Sequence, residues 1–522
     1  MARGRYEKVV NLDALIERGD LYENLEDVPP DWREVRITDL EPGPTYSLMR
    51  KPDFQRETAN WSPGQVVDLI ETFCASEIIP AVILWQGGNR LFVIDGAHRL
   101  SALIGWVRND FGAGEASRKF FGHQVRAQQK AMHDETLSLL GKSVKSYAEF
   151  KASNPLHVLK PLEIQWIKGR TPQQAAKAFI RINRGGTEID DLEVRILNAA
   201  RSALSVATRV ISRGGSGHAY WDHFADAEAK RKTPAIGAEI YKLLYEPELE
   251  YPIKSHELPL GGPGYGMHVI RLAFDLVAVS NELSVSDSTR SNSAEKLLDD
   301  NEGTTTLNYL NRTLKTLRLI LSNDPSSLGL HPALWFYSET GAFRSVALIN
   351  VISWVKHLQK TNRFDAFRKH RGKFENLLLA HPSIIKPAVH TLGSGTRTRA
   401  TMKTVLDRTL DLILENEAIE DAWYSLAKAY PTLAKAEEDR IQNEEKGRRS
   451  SSFDVSVKNA ASLADLAHAP RCAICDGFLH RNGKVLDHIE KKADGGRASR
   501  ANARWVHPVC NSNRDKDERL HG

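Results

Sequence analysis

The chain has 522 residues, which is too long for one hydrophobic core and predicts two to four domains. Hydrophobic residues make up 41% and charged residues 26%, as in an ordinary globular protein. The longest apolar stretch, around 346–355, is far below the roughly 20 residues that a membrane-spanning helix needs. The first twenty residues lack the apolar segment of an export signal. We therefore expect a cytoplasmic protein without a membrane partner.

The net charge of +5 and the pI near 8.8 do not by themselves indicate a nucleic-acid ligand. The distribution is more informative, because residues 471–522 contain 11 Lys/Arg and 7 Asp/Glu, an excess of +4. Three of the four cysteines, Cys472, Cys475 and Cys510, lie in the same segment. In a cytoplasmic chain, clustered cysteines with a C-x-x-C pair favour a metal site over disulfides.

The first predicted elements alternate between helix and strand. A helix begins after the N-cap Ser62, with Pro63 in its first turn. Two strands follow at 78–85 and 91–94, joined by a tight turn at 87–89. The second strand runs into Asp95-Gly96-Ala97-His98-Arg99 and a further helix. Another capped helix is predicted from Thr171 to about 182. Together these elements predict an α+β region at the N-terminus.

The middle of the chain is predicted to be helical. From about 191 to 435 the apolar residues recur at helical spacing, as in the series 307, 310, 314, 317, 321. Residues 437–462 are charged and polar, which indicates a linker or a solvated helix end. We predict a mostly helical α+β protein with four parts: 1–200, a helical domain at 201–435, a linker at 436–470, and a small module at 471–522.

Two pairs of soft metal ligands frame the C-terminal module. Cys472-x-x-Cys475 and His507-x-x-Cys510 are about thirty residues apart, a spacing typical of a tetrahedral Zn²⁺ site. A segment this short buries little apolar surface, so a structural zinc ion is a sensible substitute for a core. The sequence therefore predicts a structural zinc site at these four residues.

A second set of chemical groups lies between the two pairs. Asp487-His488 is predicted on a short apolar strand, where neighbouring side chains point to opposite faces. This arrangement suits a carboxylate that binds a hard cation and an imidazole that is free to act as a base. The polar helix predicted from Asn511 to about 520 presents Asn511 and Asp515 on one side.

The motif order of the last ~50 residues resembles the HNH (ββα-metal) endonuclease family. The resemblance implies that His488 is the general base, that Asn502 holds the loop and this histidine in place, and that Asp487 and Asn511 bind Mg²⁺ or Mn²⁺. His507 stands where the family usually has a third zinc cysteine, and Asn511 makes this an H-N-N variant in which Asp515 could assist.

Three further motifs occur in order near the N-terminus: Phe54-Gln55-Arg56, the segment 94–100, and the segment 179–187. Together they resemble the ParB/sulfiredoxin-like domain of GmrSD- and SspE-type restriction enzymes, over roughly 45–200. The resemblance implies a nucleotide (GTP or ATP) or phosphate site formed by Gln55, Arg56, Asp95, His98, Arg99 and Asn183. Ala97-His98 replaces the Gln-Gln of the family signature, so nucleotide hydrolysis is left open.

Together the two resemblances imply a restriction-type, anti-phage DNA endonuclease that nicks DNA. Its N-terminal domain would sense modified DNA, for example phosphorothioate DNA, or bind nucleotide, and license the HNH domain. An aromatic pocket near Phe54, Trp61 and Trp85 is a candidate for recognising the modification. Double-strand cleavage would need two copies, so a homo-oligomer stays open. The alternatives are a DNA-binding regulator that does not cleave, and an HNH endonuclease of a mobile element.

Overall fold

The computed structural model describes residues 8–521, with gaps. The gaps are 20–33, 53–54, 56, 123–124, 172–173, 176–177, 179–181, 183–191, 193–194, 197–198, 267, 284–297, 386–395, 416–417 and 446–451. The side chains of 396–399, 443–445 and 518–521 also lie outside the description. The described residues form a mostly helical α+β protein with a small mixed sheet, which confirms the predicted fold class.

The N-terminal region contains a mixed five-stranded sheet. The strands are Arg18–Gly19 (β1), Met49–Pro52 (β2), Val82–Gly87 (β3), Arg90–Asp95 (β4) and Ile164–Ile167 (β5). Their order in the sheet is β1-β2-β4-β3-β5. Only the β3–β4 pair of this sheet is antiparallel, because these strands are joined by a tight turn at Gly88, whose φ is 53°. The strand predicted at 78–85 starts later than expected, at Val82, and Ile78 is 92% exposed.

Helices of the N-terminal region pack against this sheet around one apolar core. The Ser62 side chain accepts a hydrogen bond from the Gln65 backbone amide, and the Gln65 side-chain oxygen accepts one from the Ser62 backbone amide, so the predicted capping box is present. The helices are Pro44–Leu48 (α1), Pro63–Cys74 (α2), Ala97–Arg108 (α3), Glu115–Phe121 (α4), Ala127–Ser143 (α5) and Tyr147–Ser153 (α6).

The middle of the chain is helical, as predicted. Its core includes a group of aromatic rings in which Trp335 stacks on Phe374 with the ring centroids 5.8 Å apart. The helices are Ala203–Ser212 (α7), Ala227–Tyr245 (α8), His268–Ser280 (α9), Thr304–Ile320 (α10), Pro332–Phe336 (α11), Ser345–Lys360 (α12), Phe364–Lys369 (α13), Arg371–Ala380 (α14), Thr396–Glu415 (α15), Ile419–Ala429 (α16) and Pro431–Glu445 (α17).

Helix α17 continues past residue 435, where we placed the start of a linker. Glu437 on this helix is only 6% exposed, and Arg440 forms ion pairs with Glu437 (2.7 Å) and Glu339 (3.0 Å). The first part of the charged segment is therefore packed against the helical region. A short helix, Val455–Leu463 (α18), follows.

The C-terminal module consists of a two-stranded antiparallel sheet and a final helix. The strands are Val485–His488 (β6) and Ala503–Val506 (β7), and the helix is Pro508–His521 (α19). Phe478, Val506 and Val509 of this module belong to the same buried apolar cluster as the helical region. The module is therefore packed onto the helical region and shares its core.

The helices of the described segments were also assessed for length and apolarity. None of them is both long and apolar enough to cross a bilayer.

Candidate functional site

The four predicted zinc ligands come together in space. One ligand atom from each of Cys472, Cys475, His507 and Cys510 lies within 4.8 Å of all the others, and all four residues are buried. The first pair precedes β6, and the second pair lies where β7 passes into α19. The hairpin thus joins ligands that are about thirty residues apart in sequence, and the cluster can hold a structural Zn²⁺.

The orientation of His507 fits a metal ligand. Its Nδ1 is 3.4 Å from the sulfur of Cys475, while its Nε2 is 2.9 Å from the carbonyl oxygen of Phe478. An Nε2–H that donates to a carbonyl fixes the tautomer in which Nδ1 carries the free lone pair. The Cys3His set is therefore chemically suited to zinc.

The thiols of this cluster influence one another strongly. Hydrogen bonds with Cys475 and Cys510 lower the pKa of Cys472, and those with Cys472 and Cys475 raise the pKa of Cys510. Cys472 therefore loses its proton more easily than Cys510, because two thiolates at this separation repel each other. A divalent cation removes that repulsion, and ligand deprotonation is then part of metal binding.

A buried ion pair of helix α14 holds the zinc-ligand loop. Glu375 is fully buried and accepts hydrogen bonds from Arg371 (2.7 Å), Trp335 (2.9 Å) and the Phe478 amide (2.6 Å). The Gly372 amide donates to the carbonyl of Cys475 at 3.1 Å. The helical region therefore binds the backbone of the zinc-ligand loop. Loss of either Arg371 or Glu375 would leave the other as an unpaired buried charge.

The final helix is attached to the helical region by a second set of ion pairs. Both terminal nitrogens of Arg368, a residue that is 1% exposed, donate to the carboxylate of Asp517 at 2.7 and 2.8 Å. Lys516 pairs with Asp365 at 2.8 Å. A two-pronged arginine–carboxylate pair fixes direction as well as distance, so the position of α19 is defined from outside the module.

Two buried histidines, His331 and His480, lie where the C-terminal module packs on the helical region. They should make the stability of the folded protein sensitive to acid. His331 is fully buried, its ring nitrogens have no partner among the described residues, and burial lowers its pKa well below the usual value. Burial also lowers the pKa of His480 to about 3. In the unfolded chain a histidine is protonated below about pH 6.5, whereas these two stay neutral in the folded protein. For each of them, the free energy of unfolding should therefore fall by about 1.4 kcal/mol per pH unit below that point.

Urea unfolding at a series of pH values between about 5 and 8 measures this dependence. The unfolding free energy should be highest above pH 6.5 and should fall on acidification. The variant His331→Leu should show a shallower pH dependence than the wild type. An identical slope in both proteins would contradict the assignment.

The β6–β7 hairpin places Asp487 and His488 on opposite faces, as predicted. Paired residues of an antiparallel sheet share a face, so Leu486 and Trp505 lie together, with exposures of 56% and 47%. His488, two residues after Leu486, points to that same face and is half-buried. Asp487 points the other way and is 8% exposed. The imidazole is therefore on the accessible face, and the carboxylate on the face towards α19.

Two arginines bind the carboxylate that we predicted as a magnesium ligand. Asp487 accepts hydrogen bonds from Arg504 (2.9 Å) and from Arg514 of α19 (3.3 Å). Arg514 also donates to the carbonyl oxygens of His488 and, at 2.6 Å, Ile489. Arg514 thus joins the end of β6 to the final helix. Sequence analysis missed both arginines, because nothing in their spacing distinguishes them from solvated basic residues.

Asn502 closes the loop between β6 and β7. Its side-chain oxygen accepts from the Glu490 amide (2.6 Å), and its side-chain nitrogen donates to the carbonyls of Glu490 and Arg497 (both 3.0 Å). The loop is tight, since a Cβ at Gly496 would lie 2.0 Å from the Glu490 carbonyl oxygen. Asn502 therefore holds the loop that follows His488 closed, and its positioning role in the site stays a prediction.

Replacement of Asn502 should therefore loosen the loop without changing the metal ligands. We expect Asn502→Ala to reduce DNA nicking by about 10- to 100-fold, because three hydrogen bonds that hold the loop next to His488 are lost. Nicking rate and bound zinc should be measured on the same preparation. Ser499→Ala, an exposed and uncharged substitution in the same loop, is the control. Equal rates in Asn502→Ala and wild type would argue against the role.

The remaining predicted magnesium ligands lie on α19. Asn511 and Asp515 are both exposed, one turn apart, on the N-terminal half of that helix. Asp515 forms an ion pair with Lys491 at 2.5 Å. Asp487 and Asn511 offer the oxygen ligands that Mg²⁺ prefers, and Asp487 would have to exchange its arginine contacts for the ion.

The predicted nucleotide site is only partly within the described residues. Asp95 and Arg99 form an ion pair at 2.8 Å, and Arg99 also donates to the carbonyl of Ala81 at 2.9 Å. His98 stacks on Trp61 with the ring centroids 5.6 Å apart. Gln55 is buried, whereas Arg56, Asn183 and Phe54 lie outside the described residues.

The candidate aromatic pocket is not a single surface. Trp85 is 2% exposed, packs against Phe92 and donates from its indole nitrogen to the carbonyl of Arg170. It is therefore a core residue of the sheet. Trp61 is half-buried and stacks on His98, which follows the Asp95-Gly96 turn in the sequence.

The comparison with known protein families gives one match, which lies in the N-terminal region. Residues 43–200 match the family described as "GmrSD restriction endonuclease, N-terminal domain". The predicted GmrSD-like N-terminal domain is thereby confirmed. No curated protein and no solved structure matches the chain. The matched segment ends well before the Cys3His module, whose HNH assignment remains a prediction.

Proposed function

We propose that the protein is a metal-dependent DNA endonuclease of the restriction type, whose cutting module is an HNH domain at 471–522. The observation that carries the proposal is the hairpin itself: it presents His488 on an accessible face beside a Cys3His cluster, with Asn502 closing the loop. The GmrSD-type N-terminal domain supports DNA as the substrate and a role in defence.

Each residue has a proposed task in hydrolysis of a phosphodiester. The neutral imidazole of His488 takes a proton from the attacking water. Asp487 and Asn511 would hold Mg²⁺ or Mn²⁺, which neutralises phosphate charge when bound. Arg504 and Arg514 lie next to this carboxylate and can contact the backbone phosphates.

The accessible face of the hairpin has the composition of a DNA-contact surface. Trp505 and Leu486 are exposed there, and the ammonium group of Lys484 lies 4.8 Å from the Trp505 ring centroid. The basic excess of the module adds a long-range attraction that weakens with salt.

We further propose that the N-terminal domain decides when cleavage occurs. It would bind modified DNA or a nucleotide (GTP or ATP) near Asp95, His98 and Arg99, and license the C-terminal module. Arg99 at the start of α3 and the ring of Trp61 above His98 support a phosphate or base ligand.

A plasmid-nicking assay with modified and unmodified DNA tests the proposal. EDTA should abolish nicking, and Mg²⁺ or Mn²⁺ should restore it, because the reaction needs a hard cation. GTP and ATP are added in separate reactions to reveal licensing. Absence of any nicking with either metal, on every DNA tested, would reject the endonuclease.

A DNA-binding regulator that does not cleave is the second candidate. The pairing of Asp487 with two arginines favours it, because a carboxylate neutralised in this way is less available to a cation. The two candidates differ in Mg²⁺ dependence: a regulator would retain salt-sensitive DNA binding in EDTA and would never nick.

A further inference from the structure

An exposed tryptophan lies on the accessible face of the C-terminal hairpin. Trp505 of β7 is 47% exposed and stands opposite Leu486 of β6, which is 56% exposed. It is the most exposed tryptophan among those that the structure describes, whereas Trp335 and Trp354 of the helical region are fully buried. Two adjacent large apolar side chains in water are unfavourable by themselves, and such a pair commonly marks a contact surface.

The backbone of Trp505 is held by the loop that carries Cys472 and Cys475. The Trp505 carbonyl oxygen accepts a hydrogen bond from the amide of Ala473, which lies between these two cysteines, at 3.1 Å. The next residue of β7, Val506, is fully buried. The indole ring therefore projects from a fixed strand, which reduces the conformational entropy that is lost when a ligand stacks on the ring.

The indole ring lies near the proposed general base. Leu486 and His488 are two residues apart on one face of β6, and Leu486 is paired with Trp505. Trp505 and His488 are thus diagonal neighbours across the hairpin, a relation that places two residues about 7–8 Å apart. A base stacked on the indole would therefore belong to a nucleotide close to the phosphate at which His488 is proposed to act.

The surroundings of the ring favour a ligand with many negative charges. The ammonium group of Lys484 lies 4.8 Å from the ring centroid. Residues 484–505 contain six Lys/Arg and three Asp/Glu, an excess of +3, and Arg497 and Arg500 of the loop between the strands are exposed. Aromatic rings among cations are typical of surfaces on which the bases of a nucleic-acid strand stack while the cations attract its phosphates. The charge therefore favours DNA over an apolar protein partner.

A fully paired duplex offers no base face to this ring. Its bases are stacked on one another inside the helix, and its outer surface consists of the backbone and the edges of the bases in the grooves. A base outside the stack, as in a single strand or a bulge, exposes its face. Stacking of one such base on an aromatic side chain increases affinity by about 5- to 150-fold.

We therefore infer that the C-terminal module binds DNA in which a base near the cleaved phosphate is unpaired, and that this base stacks on Trp505. Leu486 would extend the apolar surface beneath the base, and Lys484 would attract the adjacent phosphate. The inference deepens the proposed function: it rests on DNA as the ligand of this module and names the class of DNA that the module takes. It does not depend on cleavage.

Fluorescence anisotropy of the full-length protein, at one salt concentration and without added divalent cations, tests the inference. Three probes share one sequence: a single strand, the matched duplex, and the duplex with a two-base bulge. The single strand and the bulged duplex should bind about tenfold more tightly than the matched duplex. Trp505→Leu should lose this preference, and Trp505→Phe should keep most of it, because a phenyl ring still stacks. Tyr424→Leu removes a 71% exposed ring from the helical region and should bind all three probes as wild type does.

A fluorescent base gives a readout that a merely structural role of Trp505 would not change. The emission of 2-aminopurine in the bulge should be quenched when the wild type binds, because the base stacks on the indole. It should stay bright with saturating Trp505→Leu. Lys484→Ala, which keeps the ring, should bind more weakly and still quench. The zinc content of each variant shows whether the module is intact.

Three results would overturn the inference. The first is equal binding of all three probes by the wild type. The second is a Trp505→Leu variant that keeps both the preference and the quenching, which would assign them to another surface. The third is a Trp505→Leu variant with unchanged DNA binding but a different mass in light scattering, which would make this face a contact between copies of the chain. Nicking is measured separately: nicking without the preference rejects only the inference, and the preference without nicking rejects only the endonuclease.

Discussion

The His488→Ala variant should nick plasmid DNA about 10²- to 10⁴-fold more slowly than the wild type, the range for loss of a positioned general base. DNA binding should be almost unchanged, because the backbone contacts of Arg514 to residues 488 and 489 do not use the histidine side chain. Nicking is measured as initial rates with excess Mg²⁺, and binding by fluorescence anisotropy in EDTA. Loss of the nicking rate with unchanged DNA affinity is the result expected for a catalytic residue.

A matched substitution controls for the loss of a histidine near the module. His468 is exposed and precedes the first zinc ligand, so His468→Ala should cleave at the wild-type rate. If His488→Ala and His468→Ala had the same nicking rate, His488 would not be the general base, and the regulator that binds without cutting would be favoured.

The Cys472→Ser variant should lose its zinc and release the C-terminal module from the helical region. Purified wild-type protein should contain about one zinc ion per chain, and the variant close to none, since one ligand of the tetrahedral set is lost. Limited proteolysis should then cut within 471–522 at low protease concentration. Because Cys472, Cys475 and Cys510 belong to the core shared with the helical region, thermal stability of the whole chain should also fall.

The lone cysteine of the N-terminal region provides the control. Cys74 is half-buried on α2, far from the Cys3His set in sequence, and Cys74→Ser should keep its zinc and its protease resistance. Unchanged zinc content in Cys472→Ser would contradict the assignment of this cluster as the metal site. Full protease resistance after zinc loss would show that packing alone holds the module.

The packing of the module limits how licensing can work. Glu375 binds the zinc-ligand loop and Arg368 binds the final helix, so the helical region holds the module at two places. If the N-terminal domain licenses cleavage as proposed, we expect the signal to pass through this region, because the module is held there at two places. The buried junction histidines add a dependence on pH that a tethered module would not have.

The sequence determined those features that depend on neighbouring residues. The capping box at Ser62, the turn at Gly88, the strand that carries Asp487 and His488, and the Cys3His ligand pairs were all predicted from local spacing. Each is fixed by chemistry within a few residues, or by two ligand pairs whose geometry is dictated by one ion. The order of motifs also indicated the GmrSD-type N-terminal domain.

Only the tertiary structure decided which distant side chains meet. Arg504 and Arg514 approach Asp487 from 17 and 27 positions away, and Glu375 contacts the loop at Phe478 from 103 positions away. Lys51, which pairs with Asp13, is 38 positions from it. A charged residue has the same local signature whether it is solvated or buried. The packing of the helices and the sheet determines which partner a charged residue meets, and this packing leaves no periodic pattern in the sequence.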